Sequence, residues 1–103
     1  MLFGGAKYRA KRMGLPFDLD IEWVAKKLES GVCEMTGIPF VRESSSEYKT
    51  HPLTPSLDRI IPSVGYTKDN VRIVCFAVNL ARSDWGDEVL FKVAHALVQA
   101  GAA

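Results

Sequence analysis

Two oxygen-bearing side chains, Asp58 and Asn79, are spaced so that they could hold a metal ion. Asp58 lies near the end of "SLDRII", whose alternation and β-branched residues read as a short strand. "PSVGYTKDN" then makes a turn-forming excursion, and "VRIV" reads as a second strand. Asn79 sits inside "CFAVNLARSDW", which lacks strand alternation and sets Phe76 and Leu80 four residues apart, as a helix does. Strand, loop, strand and helix would let the two hard oxygen donors converge across the hairpin. Magnesium usually takes only one or two protein oxygens and fills its octahedron with water and substrate phosphate, so Asp58 with Asn79 is a sufficient protein set. Taken singly, an aspartate and an asparagine near turns are caps or turn residues. Their arrangement is what points to a cation.

The elements that must position this pair follow from the rest of the chain. At 103 residues and 48% hydrophobic, it can build one compact core and is too short for two domains. Residues 6 to 13 are good helix formers, stopped by Gly14 and Pro16. "DLDIEWVAKKLESG" offers Asp20 as N-cap, an inward face of Ile21, Val24, Ala25 and Leu28, and Gly31 as terminator. "CEMTGIPF" is compact and turn-prone, and "VRESSSEYKTHPLTP" reads as an exposed, mobile loop. After Gly86, Asp87 is the N-cap expected for a closing helix whose stripe of Val89, Leu90, Val93, Ala94, Leu97 and Val98 should pack on the core. The fold class is therefore α+β: a strand–strand–helix unit over residues 55–85, a helical lead-in over 6–31 and a closing helix over 87–100.

Charge and cysteine usage narrow the partners. Thirteen Lys and Arg against twelve Asp and Glu give a net charge of +1, so bulk electrostatics do not announce a nucleic-acid binder. Local charge says more: "AKYRAKR" gathers Lys7, Arg9, Lys11 and Arg12 with no acid among them, enough for a patch that contacts phosphates or simply solubilises a helix end. Two cysteines, Cys33 and Cys75, suit buried thiols better than a disulfide in a chain without a leader pattern or a membrane-spanning run. The expected location is the cytoplasm, with no membrane association.

The stretch "PSLDRIIPSVGYTKDNVRIVCFAVN" resembles the HNH branch of the His-Me finger, or ββα-metal, endonucleases, particularly small phage and prophage members. The lead-in "AKRMGLPFDLDIEWVAKKLESGVCEMTGIPF" is similar to theirs as well, so the resemblance covers Ala6 to Leu97. It implies a ββα core in which Asp58 is the metal-binding acid, Asn70 the bracing asparagine and Asn79 the helical ligand, with Mg²⁺ or Mn²⁺ as cofactor. It places Arg59 where the family carries its catalytic histidine. Many members also hold a structural zinc between two CxxC pairs; here Thr36 and Val78 stand at the matching spacings from Cys33 and Cys75, so no zinc is expected.

Arg59 cannot take a proton from water, because a guanidinium stays protonated and carries donors only, but its planar fork matches a phosphate. Three consequences compete. Another group supplies the base, His51 being best placed by sequence and Asp69 able to orient a water; or metal-bound water attacks unaided and slowly; or the fold is kept for DNA binding or phage assembly. The favoured expectation is a metal-dependent DNA endonuclease that nicks or cuts with weak sequence specificity, and the alternative is a catalytically impaired DNA-binding or assembly module. Arg72, alternating with Val71 and Ile73, is expected on the open strand face, and Arg82, one turn after Asn79, near a backbone phosphate. Trp85 and the last helix's stripe could serve a homodimer or another phage protein.

Overall fold

The strand–loop–strand–helix order places Asp58 on one face of a hairpin and Arg59 on the other. In the computed structural model, which describes residues 2–42 and 50–101, the elements are α1 (Leu2–Met13), α2 (Ile21–Leu28), β1 (Pro55–Arg59), β2 (Val71–Cys75), α3 (Phe76–Arg82) and α4 (Asp87–Gln99). The fold is α+β. The serine-rich loop expected over residues 41–55 lies partly outside the described residues, at 43–49.

β1 and β2 pair antiparallel, with Leu57 opposite Ile73, Asp58 opposite Arg72 and Arg59 opposite Val71. Cross-strand partners share a face and successive residues alternate. Leu57, Val71 and Ile73 therefore point together into the main core, where they meet Ala6 and Ala10 of α1, Leu19, Val24 of α2 and Tyr66. Asp58 and Arg72 point together the other way. This alternation is the origin of the two sites described below.

Each lead-in helix buries a narrow face. On α1, Ala6 and Ala10 are almost fully buried, and their small side chains let the helix approach β1 while Lys7, Arg9, Lys11 and Arg12 stay outside. On α2, Asp20 caps the helix by accepting the Trp23 N–H at 2.8 Å. Only Val24 of its expected inward face is buried; Ile21 is 66% exposed, so the contact with the core is one residue wide and flanked by half-buried Trp23 and Leu28.

The segment between α1 and α2 is tied to the hairpin loop. The Tyr66 N–H donates to the Pro16 carbonyl and the Asp18 N–H to the Tyr66 carbonyl, at 2.9 and 3.1 Å. Gly65 makes this close approach possible: its φ is +109°, and a Cβ there would lie 2.8 Å from the Pro16 carbonyl oxygen.

A second cluster of Cys33, Val74 and Cys75 forms where β2 runs into α3. The cysteines are free buried thiols, and burial is the largest cause that pushes Cys75 above its ordinary pKa. No side chain caps α3; its leading N–H groups, from Phe76 and Ala77, are met instead by the Thr54 and Pro52 carbonyls at 2.8 and 2.9 Å.

The last helix departs from expectation. No residue of α4 is buried, and Val93, Leu97 and Val98 are 51%, 55% and 71% exposed, so the apolar stripe does not pack on the core of this chain. Gly86, with φ +89°, takes the N-cap position, and Asp87 is the first helical residue, its carboxylate accepting from two arginines instead of capping the helix.

Candidate functional site

Asp58 is buried to 1% exposure, and each carboxylate oxygen is held by a guanidinium. Arg72 Nε donates to Oδ2 at 2.7 Å and Arg82 donates to Oδ1 at 2.9 Å. Both arginines reach on to Asp87 at the start of α4. Arg72 binds it through two nitrogens, at 2.5 and 3.1 Å, and Arg82 Nε donates at 2.5 Å. Arg82, itself 1% exposed, also donates to the carbonyls of Arg59, at 2.7 Å, and Ile60. Two positive and two negative groups thus close a charge-balanced network across β1, β2, α3 and α4, with Asp58 and Arg82 buried and Arg72 and Asp87 half-buried. Hydrogen bonds from Arg72, and secondarily from Arg82, hold the Asp87 carboxyl below its usual range despite burial.

This network revises two expectations. Arg82 does not face a DNA phosphate: its guanidinium binds oxygens inside the protein. Arg72 does not stand open on the strand face, because its side chain is 16% exposed and bridges Asp58 to Asp87. Asp87 was missed as a site residue. Its signal in the sequence was its place just after an arginine-bearing helix, masked by its ordinary credentials as a cap.

Asp58 and Asn79 do line one cleft of about 260 Å³, together with Ser56, Arg59, Tyr66 and Arg9. The Asn79 amide nitrogen donates into β1, to Ser56 Oγ at 2.7 Å and the Leu57 carbonyl at 3.2 Å. The set does not fit a divalent cation as arranged, since both Asp58 oxygens already accept from permanently charged groups and a cation would have to displace one of them. Among the described residues there is no group of three or more His, Cys, Asp or Glu side chains able to hold a metal, a count that an Asp–Asn pair does not enter.

Asn70 is 5% exposed and ties down the loop after β1. Its amide nitrogen donates to the Ile61 and Gly65 carbonyls at 3.0 and 2.7 Å, and its Oδ1 accepts the Ile61 N–H at 2.9 Å. Arg59 alternates with Asp58 along β1, yet both side chains line the same cleft. It donates to the Pro62 carbonyl, lies 5.2 Å from the centre of the Tyr66 ring, and approaches Asp84 at 3.8 Å. Arg9 of α1 reaches the same ring from outside, donating to the Tyr66 hydroxyl at 3.2 Å. The buried Tyr66, expected as a turn residue, is in contact with both.

The proposed base is placed elsewhere. His51 is not among the residues lining the cleft, and its Nδ1 accepts the Leu53 N–H at 3.1 Å, which fixes a turn ahead of β1. Asp69 is exposed and accepts from the Thr67 hydroxyl at 2.8 Å. Lys7, Lys11 and Arg12 lie exposed on α1 beside Arg9.

No protein-family model and no solved structure matches the chain. It is similar to an uncharacterized 29.0 kDa protein in the dda-modA intergenic region of Enterobacteria phage T4, with 35% identity over 83 residues that cover 81% of this chain and 31% of that protein. The chain therefore spans less than a third of the length of that phage relative. Among the described residues, no helix is long and apolar enough to cross a membrane.

Proposed function

We propose that this domain grips the phosphate backbone of nucleic acid on a nuclease-type ββα scaffold without hydrolysing it. The observation that carries this reading is the saturation of Asp58 by Arg72 and Arg82. A phosphodiesterase of this design needs that carboxylate for a metal, and here it balances the buried Arg82 and half-buried Arg72 guanidiniums. Arg59 supports the same reading, because at the position where a base is expected it offers donors alone. The basic outer face of α1 supplies further positive charge for backbone contact, an interaction that gives affinity without reading sequence.

The convergence of Asp58 and Asn79 on one cleft favours a second reading, a weakly active Mg²⁺- or Mn²⁺-dependent endonuclease. It requires Asp58 to be released from at least one arginine. The two readings separate in a paired assay of duplex binding and plasmid nicking, with magnesium, manganese or chelator. The binding reading expects salt-sensitive duplex binding that persists in chelator, no nicking, and no nicking by Arg59→His. Metal-dependent nicking lost in a folded Asp58→Asn variant would replace it with the nuclease reading. An absence of duplex binding would overturn nucleic-acid binding itself.

A further inference from the structure

Arg9 and Arg59 come from opposite ends of the lead-in and core, fifty residues apart in sequence, yet both guanidiniums lie against Tyr66, at 5.9 and 5.2 Å from its ring centre. They also line the same cleft. Neither is committed as Arg72 and Arg82 are. Among the described residues, Arg9 makes one hydrogen bond, to the Tyr66 hydroxyl, and Arg59 makes one, to the Pro62 carbonyl. Each guanidinium has five N–H donors, so most of both forks remain available. The nearest opposing carboxylate belongs to Asp84, whose side chain is 83% exposed and stands 3.8 Å from Arg59, beyond hydrogen-bonding distance. Asp58, on the same cleft wall, is already balanced by Arg72 and Arg82.

We infer that Arg9, Arg59 and Tyr66 form a receptor for a single phosphate group, with the two guanidiniums gripping it from α1 and β1 while Tyr66 holds them at a fixed separation. The inference rests on the proposed backbone-binding function for the source of that phosphate, a diester of a nucleic-acid strand. Its chemistry alone would equally accept a free phosphate. Asp84 acts as an exposed competitor that the ligand displaces from Arg59.

The test follows the arginine Nε–H resonances of the full chain by NMR during titration with a 12-base-pair duplex and, separately, with inorganic phosphate. Duplex affinity is measured across salt for the natural protein and for Arg9→Gln, Arg59→Gln, Asp84→Asn and, as a control remote from the cleft, Lys92→Gln. The Arg9 and Arg59 signals are expected to shift while those of Arg72 and Arg82 stay put. Each arginine variant should lose roughly tenfold or more in affinity, the size of a charge-assisted hydrogen bond, and reduce the salt slope by about 0.9. Asp84→Asn should bind more tightly and Lys92→Gln as the natural protein does.

Natural-strength duplex binding by both arginine variants would overturn the receptor and leave backbone binding standing. Shifts of Arg9 and Arg59 with inorganic phosphate, but no duplex binding, would keep the receptor and overturn the nucleic-acid reading. Absence of a response to either ligand would overturn both.

Discussion

Two pairs of arginines flank one strand and are used in opposite ways. Arg82, which is buried, and Arg72, which is half-buried, are both hydrogen-bonded to Asp58 and Asp87. Arg9 and Arg59, on the Tyr66 side, rest on an aromatic ring with most donors unengaged. The chemical groups are identical, so the difference lies in their surroundings. A guanidinium taken out of water needs carboxylates and carbonyls around it, and those partners leave nothing for a ligand. Arg59 is no more exposed than Arg72, at 17% against 16%, so what sets the second pair apart is that its donors have no carboxylate within hydrogen-bonding distance and can turn to a phosphate. The first pair fastens the fold, and the second is available to bind.

The largest expected effect breaks the buried side. Asp58→Ala leaves the Arg72 and Arg82 guanidiniums sharing Asp87 alone and should cost about 3–5 kcal/mol, a fall in Tm on the order of 15–30 °C for a domain of this size. Thermal denaturation followed by circular dichroism checks it, and a change below a few degrees would mean the network is not structural. This also explains why loss of function in Asp58→Ala alone is no proof of a metal site. Replacing the pair together, as Asp58→Leu with Arg82→Met, should cost clearly less than the two single changes summed, because no charge is left unpaired.

Gly65→Ala comes next. It combines an unfavourable positive φ with a clash against the Pro16 backbone, so more than about 1 kcal/mol should be lost in urea unfolding. That change loosens Tyr66 and hence the open pair, while leaving the network untouched.

Acid sharpens the same contrast. The Asp87 carboxyl is depressed in the folded state, so its contribution to stability is present above the unfolded carboxylate value of about 3.9 and is lost as pH falls through the lower folded value. Unfolding free energy measured in urea should therefore drop below about pH 4, and Asp87→Asn should show a smaller drop. The smallest effects belong to the open side: Arg59→Gln and Arg9→Gln should each change stability by less than about 1 kcal/mol. A much larger loss in either would show that this pair, too, is structural.

The helices expose a related contrast. α1 and α4 both present an amphipathic pattern, but α1 docks through Ala6 and Ala10 while the larger apolar residues of α4 find no core. Helical periodicity reports which residues share a face. It does not report whether this chain supplies another surface to cover that face.

The order of elements, the Asp20 cap and the stop at Gly14 were legible in the sequence, because propensity, capping and alternation act between residues a few positions apart. The placement of Asp58 and Asn79 on one cleft was legible too, since it follows from a hairpin leading into a helix. The partners of Asp58 were not. They depend on the register that sets Arg72 opposite it and on the turn that swings Asp87 back beneath Arg82. The meeting of Arg9 with Tyr66 spans 57 positions and exists only because α1 packs against the hairpin. Local spacing thus determined which side chains could do chemistry, and tertiary packing decided which of them were neutralised and which kept their donors for a ligand.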